Sequence, residues 1–239
     1  ADDWFQTREL EKLITCLQTA KPADLILTPF LTFDLSTQSD YGYQSLSVCL
    51  LDCVYSLRAR YYDVTVPLVQ RYANMFMNGN PHASGDTISM LLRRMDDIGH
   101  YAFAGKVLIN HQKLGGKKHI PKEEACYQLA RYLRDLHIET IEDFQNYESQ
   151  EILEIVIRAV NGLGDAGVNY LFMLAGDPNR CKPDVHIHHC IRDACGHDIS
   201  NEDCQTLFTD AVKILRTQHP NLTVRGLDGI IWRAYQIRA

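Results

Sequence analysis

Apolar residues recur at helical spacing along almost the whole chain, and strand-like alternation is nearly absent. The i, i+3, i+4, i+7, i+8 spacing of an amphipathic helix is followed, for example, by Ile152, Ile155, Val156, Ala159 and Val160. Comparable patterns predict helices over Arg8–Thr19, Tyr43–Leu57, Val64–Met77, Asp86–Met95, Glu123–Leu136, Asp184–Cys195, Glu202–Thr217 and Val224–Ile237. One stretch, Asp24–Phe33, is ambiguous because it is apolar but broken by Pro29. We therefore expect an all-α protein.

Composition places the chain among ordinary globular proteins. It has 239 residues, of which 46% are hydrophobic and 23% charged. The longest apolar runs are too short to span a bilayer, so we expect no membrane partner. The first residues are acidic and lack the pattern of a signal peptide. We expect a cytoplasmic monomer, or a location in the nucleoid or nucleus.

The formal net charge of −6 argues against a protein that binds nucleic acid over its whole surface. The charge is unevenly distributed, however. Between Leu51 and Lys122 the chain has ten lysines and arginines against five aspartates. A local basic surface on an acidic protein is therefore compatible with the composition.

Eight cysteines in a chain without a signal peptide favour reduced thiols over a disulfide framework. Half of them lie in a segment that is also rich in histidine, and this raises the alternative of a zinc site. The residues concerned are Cys181, His186, His188, His189, Cys190, Cys195, His197 and Cys204. No Cys-x-x-Cys pair occurs among them, and we favour buried cysteines with surface histidines.

The segment from 150 to 195 carries the most specific chemistry. An amphipathic helix should end near Gly162, which can adopt a positive φ, and an almost wholly apolar helix should begin after Gly164. Free backbone N–H groups at the start of the second helix would form an anion site without help from lysine or arginine. A later turn leads to Pro183 and to Asp184, which can cap the next helix.

This pattern resembles the helix-hairpin-helix, Gly-Pro-Asp superfamily of base-excision DNA glycosylases. The resemblance is carried by Gly162-Leu163-Gly164, by the apolar helix Val168–Ala175 and by Pro183-Asp184-Val185-His186. It covers about residues 44 to 236 and is strongest in 150–195. It implies a two-lobed helical fold with a cleft between the lobes. The implied domains are an N-terminal helical extension over 1–43 and a glycosylase region over 44–239, with the hairpin at 150–175 and the catalytic loop at 176–190.

The resemblance also implies roles for individual residues. Asp184 would be the catalytic carboxylate that assists the attack of water on a damaged or modified nucleotide, with Lys182 and His186 around it. The DNA-binding residues would be Gly162, Leu163, Gly164, Ala166, Arg58 and Arg60, and Arg58 would fill the space that the flipped base leaves. The backbone carbonyls of Arg158, Val160 and Leu163 would hold a sodium or potassium ion; no other cofactor is required.

Three departures from the family pattern narrow these expectations. The lysine of the combined glycosylase/lyases is replaced by Ala166, so the resemblance implies a monofunctional enzyme. The four-cysteine signature of an iron–sulfur cluster is missing, and the usual proline before the first hairpin glycine is Asn161. We expect Lys182 to be an exposed ammonium rather than a nucleophilic amine.

Alternatives remain for each of these features. Asp184 can be a helix cap only, and the Gly-x-Gly turn can be an ordinary connection between helices. Arg58 and Arg60 can be solvated surface charges. For the whole protein, the main alternative is a catalytically inactive helix-hairpin-helix module that binds DNA or a partner. A metal-dependent nuclease is disfavoured because carboxylates do not cluster near a suitable histidine.

Overall fold

A computed structural model describes residues 3–18, 33–38 and 41–236. The described residues contain twelve α-helices and no strand, which confirms the predicted all-α class. The helices are α1 (Asp3–Gln18), α2 (Leu46–Tyr55), α3 (Val66–Phe76), α4 (Ile88–Ile98), α5 (His100–Phe103), α6 (Lys122–Asp135), α7 (Ile141–Gln145), α8 (Gln150–Arg158), α9 (Asp165–Leu174), α10 (Val185–Cys195), α11 (Asn201–Leu215) and α12 (Val224–Gln236). None of the described helices is both long and apolar enough to cross a membrane.

The helical periodicity predicted most of these helices, but it did not predict two π-helical turns and two short helices. Two five-residue π-helical turns, Tyr61–Thr65 and Ala104–Leu108, precede α3 and follow α5. The short helices α5 and α7 were also not anticipated, since four or five residues are too few to show a helical period. The ambiguous stretch Asp24–Phe33 lies outside the described residues apart from Phe33.

The backbone divides into two compact units, Tyr41–Asp177 and a second unit that joins residues 1–40 to 178–239. In the second unit, α1 packs against α10 and α11, and α12 packs against α10 and α11. Its core is apolar and includes four buried cysteines, Cys181, Cys190, Cys195 and Cys204. The expected division into 1–43 and 44–239 stays a prediction.

The unit Tyr41–Asp177 is built around α2, of which every residue is buried. This helix contacts α3, α4, α6 and α9, so its apolar side chains are covered on all sides. Cys49 and Cys53, four residues apart on one face of the helix, are both fully buried. A helix that is surrounded in this way must satisfy any polar side chain internally.

Asp52 is the charged residue of α2, and four side-chain hydroxyls donate hydrogen bonds to it. Its Oδ1 accepts from Tyr170 at 2.6 Å and from Ser56 at 2.8 Å. Its Oδ2 accepts from Tyr43 at 2.7 Å and from Tyr61 at 3.3 Å. Burial, and then the Asp52 charge, raise the pKa of all three tyrosines, which therefore stay protonated donors. The carboxylate thus ties α9, the loop before α2 and the π-helical turn Tyr61–Thr65 to α2.

Replacing Asp52 with alanine should strongly destabilise the fold. The change leaves the buried hydroxyls of Tyr170 and Ser56 and the half-buried hydroxyl of Tyr43 without their acceptor, and we expect the free energy of unfolding to fall by about 3 kcal/mol or more. Urea unfolding measures this loss. Asp97→Ala, at an exposed position of α4, is the control and should change stability by less than about 0.5 kcal/mol. Equal stability of the two variants would contradict the structural role of Asp52.

Candidate functional site

The helix pair, which we define as α8, α9 and the turn 159–164 between them, forms at the expected residues. Ser149 caps α8 through its side chain, and α9 begins at Asp165, directly after Gly164. Gly162 adopts a φ of +99°, which favours glycine. The turn is closed where the N–H of Leu163 donates to the carbonyl oxygen of Val160 at 3.1 Å, and the side chain of Leu163 is buried.

The start of α9 leaves room for a ligand. Gly164 has no side chain to cap the helix, and a Cβ built at this position meets no atom within 4 Å. Uncapped N–H groups at the start of a helix attract anions. Asp165 adds a negative charge nearby, but Arg158 forms an ion pair with it across the turn. Ala166 follows in the first turn of α9, half-buried and without a polar group.

A second glycine turn, at Gly115-Gly116, packs against the first. Gly116 has a φ of +80°, and a Cβ there would lie 3.1 Å from Cα of Gly162 and 2.9 Å from Oδ1 of Asn161. Conversely, a Cβ on Gly162 would lie 2.9 Å from Cβ of Leu114 and 3.1 Å from the carbonyl oxygen of Gly115. Each glycine is therefore required by close approach as well as by its φ.

Arg58 lies in a turn whose preceding backbone carbonyls accept hydrogen bonds from Lys122. Its φ is +52°, an uncommon conformation for a residue with a side chain. The ammonium of Lys122 donates to the carbonyl oxygens of Leu57 at 2.7 Å and of Tyr55 at 3.3 Å, and to Oε1 of Gln112 at 3.1 Å. Lys122 is buried, and this burial lowers its pKa to about 8.

The remaining residues expected to bind DNA or an ion in this unit are Arg60 and the carbonyls of Arg158, Val160 and Leu163. Arg60 is exposed and lies 3.9 Å from the carboxylate of Asp63, so its charge is partly compensated. The carbonyl of Val160 already accepts the hydrogen bond that closes the turn. The sodium or potassium site on Arg158, Val160 and Leu163 stays a prediction.

The other unit holds Asp184, directly before α10. Oδ1 of Asp184 accepts hydrogen bonds from the backbone N–H groups of His186 at 3.0 Å and Ile187 at 3.1 Å, so this residue is the expected N-cap. Oδ2 faces the ammonium of Lys182 at 3.9 Å. The two backbone hydrogen bonds fix the carboxylate, and with 15% of the side chain exposed it remains accessible to solvent.

Lys182 differs from the expectation of an exposed ammonium, since its side chain is only 13% exposed. The backbone explains this: its N–H donates to Oδ2 of the buried Asp228 at 2.7 Å, which draws the residue inward. His186 is half-buried, and its ring stands edge-on to Trp232 with 6.0 Å between centroids. Burial is the main cause that lowers the pKa of His186 and favours its neutral form.

Asp228 is the residue of this group that sequence reasoning missed. Burial first, and then the charge of Asp184, raise its pKa well above the usual range. A signal was present, because helical spacing from Val224 places residue 228 on the apolar face with Leu227 and Ile231. Lys122 is similar, since it lies on the buried face of α6 with Cys126 and Leu129.

Within the described residues, the cysteines and histidines of 181–204 do not form part of any group of three or more side chains that could hold a metal ion. All four cysteines are buried in the apolar core, and burial raises the pKa of each thiol. His188 instead contacts Asp198 at 2.6 Å and Asn201 at 2.7 Å.

Comparison with known proteins adds one finding. A family described as a domain of unknown function, DUF8548, matches residues 29–236. The chain belongs to this family. A search of curated proteins and a search of solved structures each returned no match. The family spans both units, so the segments around Arg58, the helix pair and Asp184 all belong to its domain.

The buried ammonium of Lys122 should make stability depend on pH. In the folded protein it loses its proton near pH 8, whereas an unfolded lysine retains it to about pH 10.4. The unfolded state therefore binds more protons between these values, and this residue's contribution to stability increases with pH. We expect the difference in unfolding free energy, wild type minus Lys122→Met, to rise by about 1 kcal/mol from pH 7 to pH 9. The exposed Lys113→Met is the control, and a pH-independent difference for Lys122→Met would contradict the assignment.

Proposed function

We propose that this protein is a monofunctional DNA glycosylase that excises a damaged or modified base with Asp184 as its catalytic carboxylate. The observation that carries the proposal is the position of Asp184. It follows Pro183 in the order that the glycosylase resemblance requires, and its carboxylate is held by two backbone N–H groups. Such fixed placement is what a group that stabilises a transition state needs.

The proposed reaction breaks the bond between C1′ of the sugar and the base nitrogen. The bonding electrons leave with the base, and positive charge develops on the sugar as in other glycoside hydrolyses. The Asp184 carboxylate stabilises this charge and orients the water whose oxygen forms the new bond to C1′, and the proton that the water loses balances the one that the departing base takes up from solvent. Since the target is unreachable inside a duplex, the nucleotide must first leave the base stack.

In this proposal the helix pair binds the DNA backbone. The N–H groups at the start of α9 meet a phosphate, and the open space around Gly164 lets it approach. Arg58, which is exposed, fills the vacated position in the duplex. A sodium or potassium ion on the carbonyls of Arg158, Val160 and Leu163 would strengthen phosphate binding at the same turn. The reaction needs no redox cofactor or iron–sulfur cluster.

The competing proposal is a helix-hairpin-helix module that binds DNA or a partner without catalysis. The cap formed by Asp184 favours it, because a helix N-cap explains an aspartate at this position without any reaction. The two proposals agree on DNA binding by the helix pair and differ in whether any base is excised. A panel of duplexes that each carry one alkylated, deaminated or oxidised base therefore separates them.

Asp184→Asn should abolish excision while it preserves the fold. The asparagine Oδ1 can still accept from His186 and Ile187, so the cap remains, but the negative charge is lost. We expect the single-turnover rate to fall by at least about a hundredfold with unchanged DNA affinity. Asp203→Asn, an acid-to-amide change in the first turn of α11, is the matched control. Excision by Asp184→Asn at the control rate would remove Asp184 from the mechanism.

The product should be an abasic site that stays intact until alkali or heat is applied. A glycosylase/lyase would instead form a Schiff base that borohydride traps, and this needs an amine. Position 166 is alanine, and Lys182 forms an ion pair with Asp184, with 3.9 Å between Nζ and Oδ2. A covalent protein–DNA complex after borohydride treatment would contradict the monofunctional assignment. Its loss in Lys182→Ala would identify the amine.

A further inference from the structure

The glycine–lysine loop, residues 115–119, projects beside the helix pair. An isolated antiparallel bridge between Lys113 and Pro121 closes its base, where the N–H of Leu114 donates to the carbonyl oxygen of Ile120 at 2.8 Å. Lys117 and Lys118 are exposed at its tip. The loop is thus a short, closed projection rather than a free segment.

Asn161 fastens this loop to the turn of the helix pair. Its Oδ1 accepts a hydrogen bond from the backbone N–H of Lys118 at 3.2 Å. The glycines support this contact, because Gly116 lies too close to Gly162 for either to carry a side chain. The resemblance in sequence expects proline at position 161, and proline could not accept this bond. The departure from the family pattern therefore has a structural use here.

Arg58 covers the other side of the same loop. Its guanidinium lies against Gly115, where a Cβ would fall 2.6 Å from Cζ and 2.7 Å from one terminal nitrogen. Arg58 is exposed, and within the described residues it makes no hydrogen bond or ion pair through its side chain. Lys117 and Lys118 likewise form no ion pair in the described part of the chain. Three uncompensated cations therefore share one small surface with the helix pair.

We propose that the glycine–lysine loop is a second DNA-binding element, which contacts the phosphodiester backbone through Lys117 and Lys118 next to the phosphate held by the helix pair. Arrays of exposed lysine and arginine bind nucleic-acid backbones by releasing counterions. A single carboxylate carries one negative charge, whereas successive phosphates of one strand supply one charge each and suit several adjacent cations. This inference rests on the proposed function, because it extends the DNA surface assigned there.

The experiment measures binding of a fluorescent duplex by anisotropy over a range of salt concentrations. The double variant Lys117→Ala, Lys118→Ala should bind about tenfold or more weakly at 0.1 M salt, and the slope of log K against log salt should shrink by about 1 to 2. The control is Lys106→Ala with Arg93→Ala, which removes two exposed cations from other parts of the same unit. Thermal melting checks that both double variants stay folded.

A third variant separates this inference from the proposed function. Gly164→Val places a side chain in the open space at the start of α9 and should weaken binding through the helix pair itself. If Gly164→Val loses affinity while the loop variant matches its control, the loop inference is overturned and DNA binding by the helix pair stands. If the wild-type protein binds no duplex at any salt concentration, the proposed function fails, and the loop inference fails with it.

Discussion

The buried carboxylate of Asp52 is the constraint on which the unit Tyr41–Asp177 depends. Its two oxygens accept from hydroxyls that come from four separate places in the chain: Tyr43, Ser56, Tyr61 and Tyr170. One of them lies on α9, and another ends α2 two residues before Arg58. The helix pair and the Arg58 turn, both parts of the proposed DNA surface, are thus positioned from one carboxylate.

Lys122 holds the backbone just before Arg58 through a second set of hydrogen bonds. It supplies three hydrogen bonds to acceptors at the end of α2 and in the loop before α6, and it does so as a buried ammonium. Removing such a charge from water costs free energy, which the lowered pKa reflects. Apolar packing alone would not select the left-handed conformation of Arg58, because apolar contacts leave the nearby carbonyl groups without donors. The hydrogen bonds from Lys122 to the carbonyls of Leu57 and Tyr55 favour this conformation.

Helical periodicity predicted most of the fold, because most buried faces here are apolar. Residue type, rather than periodicity, predicted the turn of the helix pair and the cap at Asp184, because glycine and aspartate have specific backbone roles at these positions. The polar groups that organise the site were missed for the opposite reason. Periodicity analysis assigns charged residues to the surface. It therefore does not predict the buried positions of Asp52, Lys122 and Asp228. The contact of Gly116 with Gly162 joins segments distant in sequence, which periodicity does not report.

The cap at Asp184 and a catalytic role do not compete, because they use different oxygens. Oδ1 accepts the backbone N–H groups of His186 and Ile187, whereas Oδ2 accepts no hydrogen bond from a described residue and lies 3.9 Å from the ammonium of Lys182. Oδ2 of Asp228 accepts the N–H of Lys182 at 2.7 Å, and burial raises the pKa of this carboxyl well above its usual range. Asp228 therefore fixes the backbone of Lys182, which precedes Asp184 by two residues. In the proposed reaction, Oδ2 of Asp184 is the oxygen that faces the developing positive charge.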